Sequence, residues 1–268
     1  MSTLLLVHAH PDDEAISTGG AMMKAHADGR RVVLVTATRG EVGEIYNMDE
    51  QSTRPHLGEV RTKELENASR LLGVDRGEFL GYRDSGMVGT ADNDNPKSFH
   101  QAPLGEAAQK LAAILREEKP EVVVTYAEDG TYGHPDHVKA HYVTLAALDL
   151  LEKEGWRPRK LYYAVIPRSA MKAFMEQMPD EARQRDTIGM SIPGTPDELI
   201  TTHVDVTDLV DRKRAAFAAH VSQNDPNSWF ATMADQIYRL AFGTEHYQLA
   251  RGKPGSKLPE SDLFAGID

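Results

Sequence analysis

An unbroken apolar run, Leu4-Leu5-Leu6-Val7, gives way at once to His8-Ala9-His10-Pro11-Asp12-Asp13-Glu14. Four apolar residues with no helical spacing predict a strand buried on both faces, as in a parallel sheet. The pattern returns along the chain. Val32-Val33-Leu34-Val35 marks a strand over Arg31 to Thr38, Phe79-Leu80 a short one, Glu121-Val122-Val123-Val124-Thr125 another that runs to Tyr126, and Lys160 to Ile166 a fifth, closed by Pro167.

Between these strands the apolar spacing is helical. Glu14 to Asp28 predicts a helix packed closely through Gly19-Gly20 and ended by Gly29, and Val60, Leu65, Ala68, Leu71 and Leu72 define one over His56 to Leu72, stopped by Gly73. Leu104 to Glu118 and Val138 to Lys153 complete the series. Strand and helix in alternation imply an α/β fold, a Rossmann-like, mostly parallel sheet with helices on both faces.

Past Ile166 the pattern weakens. Met171 to Met178 is helical, Pro179 to Glu198 contains three prolines and no clear element, Thr201 to Val206 alternates as a strand does, and Val210 to Val221 is amphipathic. Tyr46 to His56 is polar and aperiodic, which predicts an active-site loop, while residues 88–101 and Ser222 to Ser228 read as loops. The tail from Gly252, rich in Gly, Pro and Lys, is expected to order only against a partner or not at all. The expected organisation is a single domain over residues 1–268: a Rossmann-like core at 1–166, C-terminal additions capping the site at 167–250, and a tail at 251–268.

Composition narrows the chemistry. The 268 residues include no cysteine, so disulfides and thiolate ligands are excluded and any metal must be held by histidine and carboxylates. With 30 Lys plus Arg against 41 Asp plus Glu, the net charge of −11 argues against a nucleic-acid surface. The N-terminal apolar run is too short for a signal-peptide core and no stretch approaches the length of a membrane span, so a soluble cytoplasmic protein is expected, with a homo-oligomer left open.

Ligands of open α/β sheets bind outside the carboxyl ends of the strands, which is where His10, Asp12 and Asp13 fall. Pro11 turns the chain out of the strand before the helix begins. A second knot, Thr131-Tyr132-Gly133-His134-Pro135-Asp136-His137, follows the strand that ends at Tyr126. If the two strands are close in one sheet, His10, Asp13 and His137 can close around one divalent cation, leaving an open fourth position as catalytic zinc sites do. A simpler reading makes Asp12 and Asp13 a helix N-cap. Capping needs only one Asp, however, and explains neither His10 nor the second knot. His8 shares the strand face of His10 by period-two alternation and is not counted as a ligand. No dinucleotide fingerprint follows any strand; the Gly-x-x-Gly of Gly40 and Gly43 is not one.

His10-Pro11-Asp12-Asp13-Glu14 together with His134-Pro135-Asp136-His137 resembles the paired motifs of the metal-dependent N-acetylglucosaminyl deacetylases of the LmbE-like, or PIG-L, family. The resemblance covers the first strand to about residue 166 and thins beyond. It implies a hydrolase that takes the acetyl group from an N-acetylglucosamine conjugate, with one Zn2+ per chain, or Fe2+ or another divalent ion, on His10, Asp13 and His137. It further implies Asp12 as general base and His134 off the metal, donating to the oxyanion and leaving amine as a histidinium held charged by Asp136. Tyr132 would be the other oxyanion donor. Bland alternatives stand beside these: a solvent-facing His134 and a core aromatic at Tyr132. Arg61 and Asp84, the latter in Arg83-Asp84-Ser85-Gly86-Met87, match positions that contact sugar in the mycothiol-pathway branch, although a solvated helical arginine and a turn-capping aspartate explain them as well. The loop Ser222 to Trp229 is more similar to the thiol S-conjugate amidases, which keeps an amidase acting on a glucosamine-containing thiol conjugate as the alternative.

Overall fold

The computed structural model describes residues 2–186 and 193–267, so part of the Pro179 to Glu198 stretch lies outside the described residues. Seven strands form one sheet in the order β3-β2-β1-β4-β5-β7-β6: β1 (Thr3–His8), β2 (Arg31–Thr38), β3 (Arg76–Tyr82), β4 (Val122–Tyr126), β5 (Lys160–Val165), β6 (Thr202–Asp205) and β7 (Thr244–Gly252). The first five pair in parallel, β7 runs antiparallel to β5, and β6 antiparallel to β7. Because β1 has β2 on one side and β4 on the other, the strand order reverses between β1 and β4 and a crevice opens at their carboxyl ends.

Alternation along the buried strands divides the core in two. Leu4, Leu6, Val32, Leu34, Val122 and Val124 face helices Gly19–Ala27 and Leu57–Leu72; Leu5, Val7, Val33, Val35 and Val123 face helices Leu104–Glu118 and Pro135–Lys153. Among the described residues no helix is long and apolar enough to cross a membrane.

Several expectations change. The helix expected over Glu14 to Asp28 is two, Asp13–Ser17 and Gly19–Ala27, broken at Thr18. Thr18 is buried, its hydroxyl donating to the Glu14 carbonyl and meeting His8 Nε2 at 2.9 Å. The aperiodic Tyr46 to His56 stretch includes a helical turn at Glu50–Thr53, capped by Asp49, and a 3-10 turn at Arg54–His56. Helix Pro135–Lys153 starts three residues before the expected Val138, because His134 is its N-cap and Pro135 its first residue, so the second motif forms the helix's first turn.

The tail is ordered against its own chain rather than a partner. Leu263, Phe264 and Ile267 join the core, and the buried Glu260 carboxylate accepts from Lys160 Nζ at 2.9 Å and from the Tyr162 hydroxyl at 2.7 Å.

Candidate active site

The chain leaves β1 at His8, and Pro11 carries it into a turn in which Asp12 takes φ 113° and ψ −32°. A non-glycine residue there costs on the order of 1 to 3 kcal/mol, so its surroundings must hold it. They do so twice. The Asp12 N–H donates to Glu14 Oε2 at 2.9 Å, and Arg61 Nη2 reaches Asp12 Oδ2 at 3.1 Å while also donating to the Pro11 carbonyl.

Asp13 points the other way. Its Oδ2 accepts from the His10 N–H at 2.8 Å and the Tyr126 hydroxyl at 2.7 Å and lies 3.5 Å from His10 Nδ1, while its Oδ1 lies 3.3 Å from His137 Nε2. His137 Nδ1 meets the Gly130 carbonyl at 3.2 Å, which puts the ring proton on Nδ1. Nε2, buried and without a hydrogen-bond partner, faces the Asp13 carboxylate, and as a neutral imidazole it would offer a lone pair there. A cation completes such a pair of acceptors, so the donor set fits the metal that the motifs imply.

The structure thus brings His10, Asp13 and His137 together, with His134, Asp84 and Asp136 at their edge. One nitrogen from each of His10, His134 and His137 lies within 4.8 Å of the others, as do ligand atoms of His10, Asp84 and Asp136. Distance therefore does not hold His134 apart from the cluster. Its Nδ1 is engaged by the Asp136 backbone N–H at 3.1 Å, leaving only Nε2 to face the site.

Asp136 departs from expectation. As N-cap and second helical residue, His134 and Asp136 project in different directions, and the wholly buried Asp136 carboxylate accepts from Ser85 N–H at 3.0 Å and from the Ser85 hydroxyl, with His10 Nε2 at 3.2 Å. It orients His10, not the His134 imidazole. Burial, then His10 and His137, push His134 down to about 2, which favours a neutral imidazole with Nε2–H facing the site over the expected histidinium. Tyr132, after the strained Thr131 at φ 70°, lies 6.0 Å ring to ring from His134, with its hydroxyl raised above the ordinary tyrosine value by burial and Asp13.

Arg61 is not the solvated helical arginine of the simpler reading, and both it and Asp84 are buried. Arg61 is 3% exposed and also donates to the Gly40 carbonyl at 2.9 Å; a Cβ at Gly40, φ 65°, would lie 2.0 Å from its Nη1, so only glycine fits there. Asp84 is buried, accepts from Gly86 N–H at 2.9 Å and stands 3.5 Å from His10 Nε2. Burial raises its carboxyl, but His10 and the Gly86 N–H outweigh that and hold it below the usual range.

Charge is sharply divided. Burial disfavours the charged form of His10, yet Asp84, Asp13 and Asp136 prevail and raise it well above an ordinary histidine. Burial likewise opposes ionised Asp13, but His137 and His10 hold its carboxyl far below the usual range. At Asp12 burial wins: with Asp13 adding to it, the carboxyl is pushed up to about 6 against the pull of Arg61.

Sequence reasoning missed three supporting residues. Tyr126 orients Asp13, Ser85 holds Asp136, and His220, fully buried, meets Glu14 Oε1 at 2.8 Å. Tyr126, as the polar last residue of a buried strand beside the site, was legible; the others depend on contacts distant in sequence. His8 is no ligand: its nitrogens face Thr18 and Tyr126.

A carboxylate pushed toward neutral pH by burial, beside a buried imidazole and carboxylate cluster at the reversal point of a mostly parallel sheet, suits hydrolytic chemistry on an α/β fold. Residues 5–148 match the PIG-L family, described as GlcNAc-PI de-N-acetylase, and the chain belongs to that family. It is an enzyme, an amide hydrolase. The 1D-myo-inositol 2-acetamido-2-deoxy-alpha-D-glucopyranoside deacetylase of Acidothermus cellulolyticus is 44% identical, with 99% of this chain and 95% of the relative aligned. The protein of the same name from Salinispora arenicola is 41% identical over 98% and 91%. The similarity therefore runs past residue 166 to nearly the whole chain. The fold is shared with the N,N'-diacetylchitobiose deacetylase of Pyrococcus horikoshii, at TM-score 0.61 and 23% identity, covering 92% of this chain and 83% of that one.

Proposed function

We propose that the chain removes the acetyl group from an N-acetylglucosamine conjugate, with one divalent cation, zinc in the first instance, held by His10, Asp13 and His137. The observation that carries this reading is the unpartnered His137 Nε2 facing Asp13 Oδ1 at 3.3 Å, one residue from Asp12. When bound, the ion would supply Lewis acidity to the amide carbonyl and to the attacking water. Asp12 accepts the proton of that water and passes it to the leaving amine, for which a carboxyl near 6 suits both directions. His134 Nε2–H and the Tyr132 hydroxyl donate to the oxyanion as the tetrahedral centre forms. Arg61 aims Asp12, while Asp84 and Asp136 orient His10.

The two relatives' shared name makes the inositol conjugate of N-acetylglucosamine the first substrate to try. The test is amine release from N-acetylglucosamine joined to inositol, joined to malate and free, and from a glucosamine-containing thiol S-conjugate, with the metal present and after chelation. The reading expects fastest release from an N-acetylglucosamine conjugate, lost on chelation, and loss of metal and activity together in His137→Ala. Cleavage of the S-conjugate amide alone would replace it with the amidase reading, which the loop Ser222 to Trp229 favours.

A further inference from the structure

We infer that His220, a residue of the C-terminal region, is a positioning residue for Asp12 and acts through Glu14. This rests on Asp12 as the proton carrier proposed above. Glu14 and His220 are each 0% exposed, and the Glu14 carboxylate bridges the two segments: Oε1 accepts from His220 Nε2 at 2.8 Å, and Oε2 accepts the Asp12 N–H at 2.9 Å. The Asp12 N–H is the backbone handle on a residue at φ 113°.

His220 cannot drift. Two residues on, Ser222 binds the buried Glu64 carboxylate through both its N–H and its hydroxyl, at 2.7 Å each, and its carbonyl accepts the Tyr46 N–H at 2.8 Å. One segment therefore ties together the active-site loop, the helix that carries Arg61, and the turn that carries Asp12. Without the imidazole, Glu14 Oε1 is left buried and unpaired. The carboxylate must then rotate toward another partner, which loosens its hold on the Asp12 N–H. Asp12 then relaxes toward ordinary backbone angles and its carboxylate leaves the line of attack.

The experiment compares His220→Leu, His220→Gln and Asp12→Asn with Glu260→Gln, a destabilised control remote from the site, in the full-length, zinc-loaded protein. Its readouts are kcat, KM, metal content and hydrogen exchange at the Asp12 amide. His220→Leu is expected to lower kcat by on the order of 10 to 10²-fold, with KM nearly unchanged and one metal per chain, and to speed exchange of the Asp12 amide. His220→Gln, whose side-chain amide can stand where Nε2 stands, should restore both. Glu260→Gln should alter neither. If His220→Leu does not fold, His220→Asn, polar but too short to reach Glu14, carries the same expectation. Unchanged kcat and exchange in the Leu or Asn variant, or an equal loss in Glu260→Gln, would overturn the inference. Wild-type protein that releases no amine yet shows the exchange pattern would overturn the proposed function and leave the positioning intact; an inactive, metal-loaded Asp12→Asn beside a wild-type-like His220→Leu would do the reverse.

Discussion

Asp12 and Asp13 are adjacent, chemically identical side chains in opposite electrostatic surroundings, and their substitution should separate two functions. On the proposed reading Asp13, held ionised by His137 and His10, serves as a ligand, and Asp12, pushed up to about 6 by burial, serves as the proton carrier. Asp12→Asn should keep about one metal per chain while kcat falls by roughly 10² to 10⁴, read from metal analysis beside steady-state kinetics. Asp13→Asn should weaken the metal instead, because a neutral amide is a poorer ligand for a dication. The active form of Asp12 is the base, so kcat/KM should fall about tenfold per pH unit on the acid side of a limb at or below pH 6, the field of a nearby dication pulling it lower. Linkage has the opposite sign for stability. The carboxyl rises in the fold from 3.8 to about 6, so it costs nothing below pH 4, progressively more through pH 4 to 6, and its full penalty above. Metal-free Asp12→Asn should accordingly be more stable than wild type at pH 7, by no more than about 3 kcal/mol, and should lose that advantage at pH 4 in urea titrations.

The helix that follows the first motif is cut at Thr18, and the break has a packing purpose. It frees the N–H groups of Gly20 and Ala21 to donate to the buried Glu245 carboxylate of β7 at 2.7 and 2.9 Å, with Lys213 Nζ on the same group at 2.7 Å. Gly20 sits so close to the residue after β6 that a Cβ would lie 2.3 Å from Val206 Cγ1. Gly20→Ala should therefore overpack this junction and cost about 1 to 3 kcal/mol, seen as a fall in Tm of roughly 2 to 4 °C per kcal/mol. An unchanged Tm would mean that β6 moves away freely. The pair Gly19-Gly20 in an apolar helical stretch signalled close packing in the sequence; the partner, Val206, is visible only in the fold.

Across the molecule, the last residues close the sheet that the first residues start. β7 inserts antiparallel between β5 and β6, and the segment after it returns to put Glu260 against Lys160, both side chains at most 2% exposed. Glu260→Gln leaves a buried lysine without its counter-charge and should lower stability by about 3 to 5 kcal/mol in denaturant titration, with kcat unaffected because the pair lies apart from the residues assigned to catalysis. A loss below about 1 kcal/mol would show that Lys160 finds water or another acceptor.

Buried parallel strands are legible in a sequence because both faces must be apolar, and β1, β2, β4 and β5 announce themselves in that way. The two histidine and aspartate motifs are legible too, since so many ligating side chains at strand ends have few other uses. β7 hides because its inward positions include Glu245, a charge made tolerable only by Lys213, Tyr247 and two helix N–H groups from distant parts of the chain. The tail, read as loose from its Gly, Pro and Lys, holds because Glu260 finds Lys160. The division of labour among like residues was equally hidden: the Asp136 carboxylate serves His10, leaving only its backbone N–H for its sequence neighbour His134, and Arg61 is spent on Asp12 and the Pro11 carbonyl. Burial and pairing set the charge and direction of each such group. Both are properties of three-dimensional neighbours, whereas apolar periodicity and ligand chemistry are written along the chain.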